Sequence, residues 1–493
     1  MGHTPRCASP RARTRHPRHG QTAGIAAATL VAILAAVAAL PAVATETTGE
    51  DPWGDEPWPP VAGDADAAEA GGYAEPGGTG YFGAPAFDLY GGLTTAGEAQ
   101  LGEAGDVARG EDLAVGTATR VRIKADWEPD ARILVHAELV GQHLSGVVNP
   151  YVYAQVSGLD AGATTDLVAA NPQYDFAEAL YLDQAWAQLR FDQLDLQVGK
   201  QPIAWGTGYA FNPTVRTHPM TGLSGFEDEE TPGTPAFSAG VPIAGSLAGE
   251  GYLAFEDRTH ASSTTGREVD PGYLPWGGRV RMLVGNFDLA VGAIQEVVAQ
   301  GPGTGGTPGA ELDRYLHVAA ETVGSIGDLG VYAEAAWTMP VWDAPQAGTA
   351  NWDALDALES TVGLEYVFPA DVDAKLEYYR RGGGATHPDR YDPSDLLSGL
   401  SSVMARDYLF GYLGRTFFSY LDVSVAVLGN LNDASLLLYQ QNEYAVSDHG
   451  TLSLAVIVPT GSGNQEFGGT REIGNTEVRF VRPGIMASLE VSF

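Results

Sequence analysis

Residues 117–142 read TATRVRIKADWEPDARILVHAELVGQ. Side chains of an extended chain alternate between two faces. Val121, Ile123, Ala125 and Trp127 therefore share one face, and Arg120, Arg122, Lys124 and Asp126 share the other. The turn signal Glu128-Pro129-Asp130 follows, and the alternation resumes. Ile133, Val135, Ala137 and Leu139 lie on the apolar side, with Arg132, His136, Glu138 and Gln142 on the polar side. Such a hairpin fits a half-buried soluble sheet, or a wall with lipid on one side and water on the other. The rest of the chain decides between them.

The same unit returns as LDQAWAQLRF with LDLQVGKQ, WGGRVRMLV with FDLAVGAIQ, and YLHVAAETV with LGVYAEAAW. Further copies are ESTVGLEYVF with VDAKLEYYR and YLFGYLGRTF with SYLDVSVAVLGN. Weaker segments are AFSAGVPI, GEGYLAFE, LLLYQQNEYA, TLSLAVIVP and an opening strand near Phe87–Glu98. Connections alternate in length. Tight turns fall near 128, 192, 244, 286, 326, 370, 418 and 448, and Gly/Pro/Asp-rich loops fill 143–178, 207–233, 257–275, 297–312, 338–357, 381–405 and 460–483. A soluble sandwich gives no reason for that sorting, whereas a sheet spanning a bilayer has short periplasmic turns and long outer loops. A bilayer core also forbids open sheet edges, so the sheet must close. Aromatic residues at segment ends (Trp127, Phe191, Phe287, Trp337, Phe368, Tyr420 and Phe493) fit interfacial girdles. The expected fold is all-β: a closed antiparallel transmembrane β-barrel over 86–493 with about eighteen strands, or sixteen if weak segments are miscounted.

The front of the chain reads as targeting sequence. Arg6, Arg11, Arg13, Arg15 and Arg18 precede the apolar run IAAATLVAILAAVAALPAVA, which ends in Ala42-Val43-Ala44. That is the pattern of a cleaved signal peptide over 1–44, with an uncleaved anchor helix as the alternative. Residues 45–85 are rich in Pro, Gly, Ala and acids and read as a flexible leader; Trp53 and Trp58 within it are a weak partner-binding signal. Cys7 is the sequence's one cysteine, so the exported chain is expected to hold together without disulfides. Sixty-two acidic residues against 27 basic ones, a net charge of −35, disfavour nucleic acid as a partner.

The polar face supplies the candidate pore lining: Arg120, Arg122, Lys124, Arg132, His136, Glu138 and Arg190, with Lys200 near them in sequence. Later strands add His317, Glu321, Glu334, Glu365, Asp373 and Glu377. A basic wall facing an acidic one would set a transverse field. The plain alternative is cross-strand pairing in a wet lumen. Nothing points to catalysis. His136 and Glu138 are about 7 Å apart by strand rise, GPGTGGTPG lacks the Gly-Lys-Ser/Thr of a phosphate loop, and HPDRYDPSD matches no twelve-residue calcium loop. No catalytic group, metal site or cofactor is expected.

The stretch LDQAWAQLRFDQLDLQVGKQPIAWGTGYAFNPT, residues 182–214, resembles Gram-negative outer-membrane porin-like barrels, including alginate-export-like and uncharacterised porin-like families. The similarity rests on the Leu-Asp-Gln-Ala hairpin, Gly199-Lys200-Gln201, Trp205-Gly206-x-Gly208 and Phe211-Asn212-Pro213, with the last two glycines expected at a tight bend. The terminal strand IMASLEVSF, with Leu489, Val491 and Phe493 on its apolar face, resembles the signal read by barrel-assembly machinery. The resemblance implies an outer-membrane barrel of a kind often presumed a channel, and the expected function is a non-enzymatic channel for small hydrophilic solutes, in contact with outer-membrane lipid, with homo-oligomerisation open. The loop at 143–178 or at 207–233 is the expected constriction. The rival readings are a non-conducting barrel whose outer loops serve adhesion or surface-polysaccharide assembly and, third, an outer-membrane hydrolase.

Overall fold

A computed structural model describes residues 86–101, 113–147, 178–217, 231–255, 271–299, 312–340, 357–393, 396, 401–473, 476–479 and 481–493. The signal peptide, the leader with Trp53 and Trp58, GPGTGGTPG and most of 143–178 lie outside them. The described chain is mostly strand. In order these are β1 (Ala86–Leu101), β2 (Leu113–Asp130), β3 (Ile133–Gly146), β4 (Glu178–Phe191) and β5 (Leu194–Gln201). Next come β6 (Thr234–Ala244), β7 (Leu247–Ala254), β8 (Trp276–Val284), β9 (Phe287–Ala299) and β10 (Leu312–Ile326). Then follow β11 (Leu329–Pro340), β12 (Leu358–Phe368), β13 (Val372–Arg380), β14 (Asp407–Phe417) and β15 (Leu421–Asn430). The chain ends with β16 (Leu436–Ser447), β17 (Gly450–Pro459), the short pair β18 (Arg471–Ile473) and β19 (Thr476–Val478), and β20 (Gly484–Ser492).

β1 to β17 and β20 form one 18-stranded antiparallel sheet in which each strand pairs with its neighbours in sequence. β20 joins β17 on one side and β1 on the other, with Leu93 opposite Val491 and Gln100 opposite Gly484. The sheet is thus a closed barrel of eighteen strands, and no strand edge is left for solvent or lipid. No helix among the described residues is long and apolar enough to cross a membrane, which says nothing about crossing by strands.

The barrel inverts the usual globular pattern. Large apolar side chains such as Val198, Val291, Val362 and Leu454 stand exposed on the outside, Val291 at 61%. His136, Glu138, Gln142, Glu296, Glu321, Glu334 and Glu377 are buried within. Cross-strand partners keep that parity around the wall: Val121 faces Leu93 and Val198 faces Phe237, while Glu138 faces Lys124 and Glu365 faces Lys375.

The reversals at one end are tight. Two-residue hairpin loops favour positive φ because it matches the twist of the flanking strands. Gly245, Gly285 and Gly327 adopt it at φ 54°, 63° and 64°. Ala370, Asp371, Phe418 and Ser419 adopt it without glycine. One turn sits later than its sequence signal. Glu128-Pro129-Asp130 continues as an irregular tail of β2, with the register shifting between Trp127 and Asp130. The reversal occurs at Ala131 and Arg132, where the Arg132 N–H donates to Asp130 Oδ1 at 2.8 Å. At the other end, β15 and β16 are joined by only residues 431–435, a short link among long ones.

Candidate functional site

The lumen is divided by the chain that follows β5. Residues 202–217 leave the wall and pack against inward-facing side chains. Glu377 on β13 accepts from the backbone N–H groups of Tyr209 (2.7 Å), Ala210 (3.2 Å) and Phe211 (2.9 Å). Three successive amides aimed at one carboxylate form an anion-binding concavity, and hydrogen bonds to a charged acceptor are stronger than neutral ones. The Tyr332 hydroxyl on β11 donates to the same carboxylate at 2.9 Å.

Glu334, two residues along β11, accepts from Gly208 N–H at 3.1 Å and from the Thr214 hydroxyl at 2.7 Å. Thr361 on β12 donates to the Phe211 carbonyl at 2.9 Å. The Phe211 ring stacks flat on Tyr379, with centroids 4.1 Å apart. Arg216 pairs with Glu359 on β12 and lies 3.8 Å from Glu296 on β9. Burial disfavours the Arg216 cation, but these two carboxylates outweigh it and raise its pKa further above its ordinary value.

The fold of this segment needs its glycines. Gly206 has φ 110°, and a Cβ there would come within 2.9 Å of Glu334 Oε2. At Gly208 a Cβ would sit 2.0 Å from the Phe211 carbonyl oxygen and 2.8 Å from Glu334 Oε1. The bend expected at Trp205-Gly206-Thr207-Gly208 is therefore a close approach of backbone to a wall carboxylate.

The contacts of 202–217 run to one side of the barrel. Trp205 packs on Tyr252 of β7 and under Arg279 of β8, and Lys375 of β13 stands 4.0 Å over the Tyr209 ring. Beyond them an apolar cluster of Tyr379, Tyr408, Phe410, Leu428, Leu437 and Phe467 fills the lumen near the long loops. Glu466, in the loop after β17, is sealed into this cluster, accepting from Met404 N–H at 2.7 Å, Asn430 Nδ2 at 2.7 Å and the Tyr408 hydroxyl. Desolvation pushes its carboxyl up to about 7.

The facing arc, from β17 through β20 and β1 to β3, carries charge instead. Arg122 Nε lies 2.8 Å from Glu138 Oε1, and His136 Nδ1 lies 2.7 Å from Asp126 Oδ1. The His136 ring stacks on Trp186 at 5.1 Å. Glu98 and Glu490 face inward on β1 and β20, opposite Met486 and Thr94. A second ladder, Glu250–Arg279–Glu321 and Arg281–Asp288, continues along β7 to β10. Toward the tight-turn end the lumen opens, and inward Val367 is 58% exposed.

The residues singled out in the sequence separate into groups. Arg120, Arg122, Lys124, His136, Glu138, Arg190 and Glu365 lie on the inward face; Arg190 is held by Gln188 near the tight turn. Glu334 and Glu377 also point inward, but at 2% and 0% exposed they hold the loop and do not meet bulk water. Arg132 is in a turn, 68% exposed, 3.7 Å from Asp192. Lys200 shares the outward face with Val198, and its ammonium reaches back to the Leu182 carbonyl at 2.8 Å. Thr214, Arg216 and Tyr332 carried no sequence signal, because their partners come from strands 45 to 143 residues away. Phe493 exchanges two 2.9 Å backbone hydrogen bonds with Gly91, while Leu489 and Val491 face outward beside it.

No protein-family model matches the chain, and no curated protein matches it. Solved structures do. A mutant of the Rhodopseudomonas blastica porin is 14% identical, with a TM-score of 0.39 over 83% of this chain and all of that one. OmpT of Vibrio cholerae is 12% identical at a TM-score of 0.35 over the same shares. The outer-membrane channel DcaP of Acinetobacter baumannii is 12% identical at 0.39, over 83% of this chain and 98% of its own.

Proposed function

We propose that this protein is a porin-like channel of the outer membrane. One observation carries the reading: an apolar exterior encloses a charged interior, and among the described residues the folded-in segment 202–217 contacts one side of it. Small hydrophilic solutes diffuse between residues 202–217 and the arc of β17, β20 and β1 to β3. Arg120, Arg122 and Lys124 line that path, with Arg190 and Glu365 nearer the tight-turn end, while the buried His136 and Glu138 stand behind them as ion-pair partners of Asp126 and Arg122. Charges of both signs two residues apart orient a dipolar solute while cross-strand pairing holds them in place. The chain arrives by a cleaved signal peptide over 1–44, and Phe493, Val491 and Leu489 form the strand read by the assembly machinery. Residues 45–85 act as a leader.

Planar-bilayer recording tests the channel. Discrete conductance steps are expected, and reversing Arg120, Arg122 and Lys124 to glutamate is expected to shift the reversal potential in a salt gradient toward cations. The sealed aromatic cluster favours the second reading, a barrel that displays loops and does not conduct. Purified, folded protein that gives no steps at any voltage would establish that reading instead.

A further inference from the structure

His317 takes no part in the channel path. It points into the barrel from β10, and its neighbours on the two adjacent strands meet both of its ring nitrogens. Glu296 of β9 places Oε2 2.8 Å from Nε2, and Thr338 of β11 places its hydroxyl 3.1 Å from Nδ1. Both contacts run across the sheet. Thr338 lies directly opposite His317, and Glu296 lies opposite Tyr315, the next inward position on β10. Three paired strands therefore fix the three side chains on one rigid wall.

The order of these groups decides what they can do. In a neutral imidazole one nitrogen donates and the other accepts. The Glu296 carboxylate draws the ring proton to Nε2. Nδ1 then carries the lone pair, and the Thr338 hydroxyl donates to it. A hydroxyl held on a base that a carboxylate orients is the arrangement that activates an oxygen nucleophile. Burial follows the same order. Glu296 and His317 are 4% and 3% exposed, whereas Thr338 is only partly buried, two residues from the end of β11 at the long-loop mouth. Arg216 approaches Glu296 at 3.8 Å, but its closer partner is Glu359. His136, the other buried imidazole among the described residues, differs. Its nitrogens face Asp126 at 2.7 Å and Glu138 at 4.0 Å, two carboxylates, as an ion-pair ladder requires.

We propose that Thr338, His317 and Glu296 form an ester-hydrolysing site at the long-loop mouth of the barrel. Thr338 Oγ1 attacks the carbonyl carbon of a carboxylic ester, and its proton passes to His317 Nδ1. The bond to the alcohol oxygen breaks, and that oxygen takes the proton from Nδ1 as it leaves. A water then attacks the acyl-threonine through the same base, releasing the carboxylic acid and restoring the Thr338 hydroxyl. Ester and water become acid and alcohol, and no other reactant is needed. Glu296 is a positioning residue: it holds the ring tautomer and stabilises the imidazolium that forms. An ester fits better than an amide because its alkoxide leaves more readily. The site does not depend on conduction, and a non-conducting barrel would carry it equally.

A fluorophosphonate probe tests this on the full chain folded in detergent. An activated hydroxyl displaces fluoride from the probe's phosphorus and keeps the phosphonyl group, which peptide mass spectrometry locates. An adduct on Thr338 is expected, with hydrolysis of p-nitrophenyl acetate blocked in proportion. Thr338→Ser, less hindered, should label at least as fast. Thr338→Val and His317→Gln should each lower the labelling rate about a hundredfold or more while keeping heat-modifiability. Glu296→Asp, which keeps the charge, should retain more labelling than Glu296→Gln, which keeps the size; the reverse order would make Glu296 a packing residue and overturn its role. No adduct at position 338 in folded wild type and in folded Thr338→Ser overturns the site, as does labelling indifferent to His317→Gln.

Discussion

Glu377 shows how far a single residue can be read. Its place in VDAKLEYYR fixes the face it points to, and that face is inward. Parity cannot show what covers it. The three amides of Tyr209 to Phe211 come from a segment nearly 170 positions earlier, where the sequence marked only a tight bend at Gly206 and Gly208. The consequence is measurable. Glu377→Ala strips the acceptor from those buried donors at about 1–3 kcal/mol for each one left unsatisfied, enough to free the segment. Gly208→Val should act similarly through collision with Phe211 and Glu334. Both variants are expected to fold as barrels, shown by retained heat-modifiability, and to conduct more per channel because the lumen widens. Unchanged unitary conductance in both would mean the segment is held by other contacts.

Elements were the most legible level, because alternation of period two and turn chemistry are local. The tight turns and a strand count of about eighteen follow from patterns within about ten residues, and closure follows from the bilayer's intolerance of open sheet edges. The misplaced reversal at Glu128-Pro129-Asp130 has a local cause as well: the Asp130 carboxylate captures the Arg132 N–H, and the turn forms two residues later. Two predictions belong here. Deleting Phe493 removes the two backbone hydrogen bonds to Gly91 at the seam, as well as the terminal aromatic residue. Outer-membrane levels of the folded protein should fall, and normal levels with normal heat-modifiability would argue against a role for this residue in assembly.

The loop holding Glu466 should in turn respond to pH. Its carboxyl is raised from 4.5 to about 7, so the fold favours the neutral form. Its contribution to stability is therefore complete below about pH 4.5 and is lost as pH rises through about 7. The thermal midpoint, followed by circular dichroism, should fall across that window in the native protein and fall less in Glu466→Gln. The same slope in both would place the pH dependence elsewhere.

At the scale of the whole molecule, on the proposed channel reading, the balance of charge along the arc of β17, β20 and β1 to β3 would decide what passes. The sequence reads Arg120, Arg122, Lys124 and Arg132 as a basic wall, but Arg132 lies in a turn, and Arg122 is neutralised by Glu138 at 2.8 Å. Glu98 and Glu490 add acid on the neighbouring strands, a juxtaposition that needs the two ends of the chain to meet and so was invisible in any local stretch. Asp126, Glu138, Glu98 and Glu490 then outweigh Arg120, Arg122 and Lys124. The channel should prefer cations, and a salt gradient should give a reversal potential of that sign. Screening sets the limit. The Debye length is about 10 Å at 0.1 M salt and about 3 Å at 1 M, so the preference should fade as both solutions are concentrated. Glu98→Gln with Glu490→Gln should weaken it at low salt and make little difference at high salt. A preference for anions at low salt, or one indifferent to ionic strength, would mean that solutes meet a different set of charges from those on β1, β2, β3 and β20.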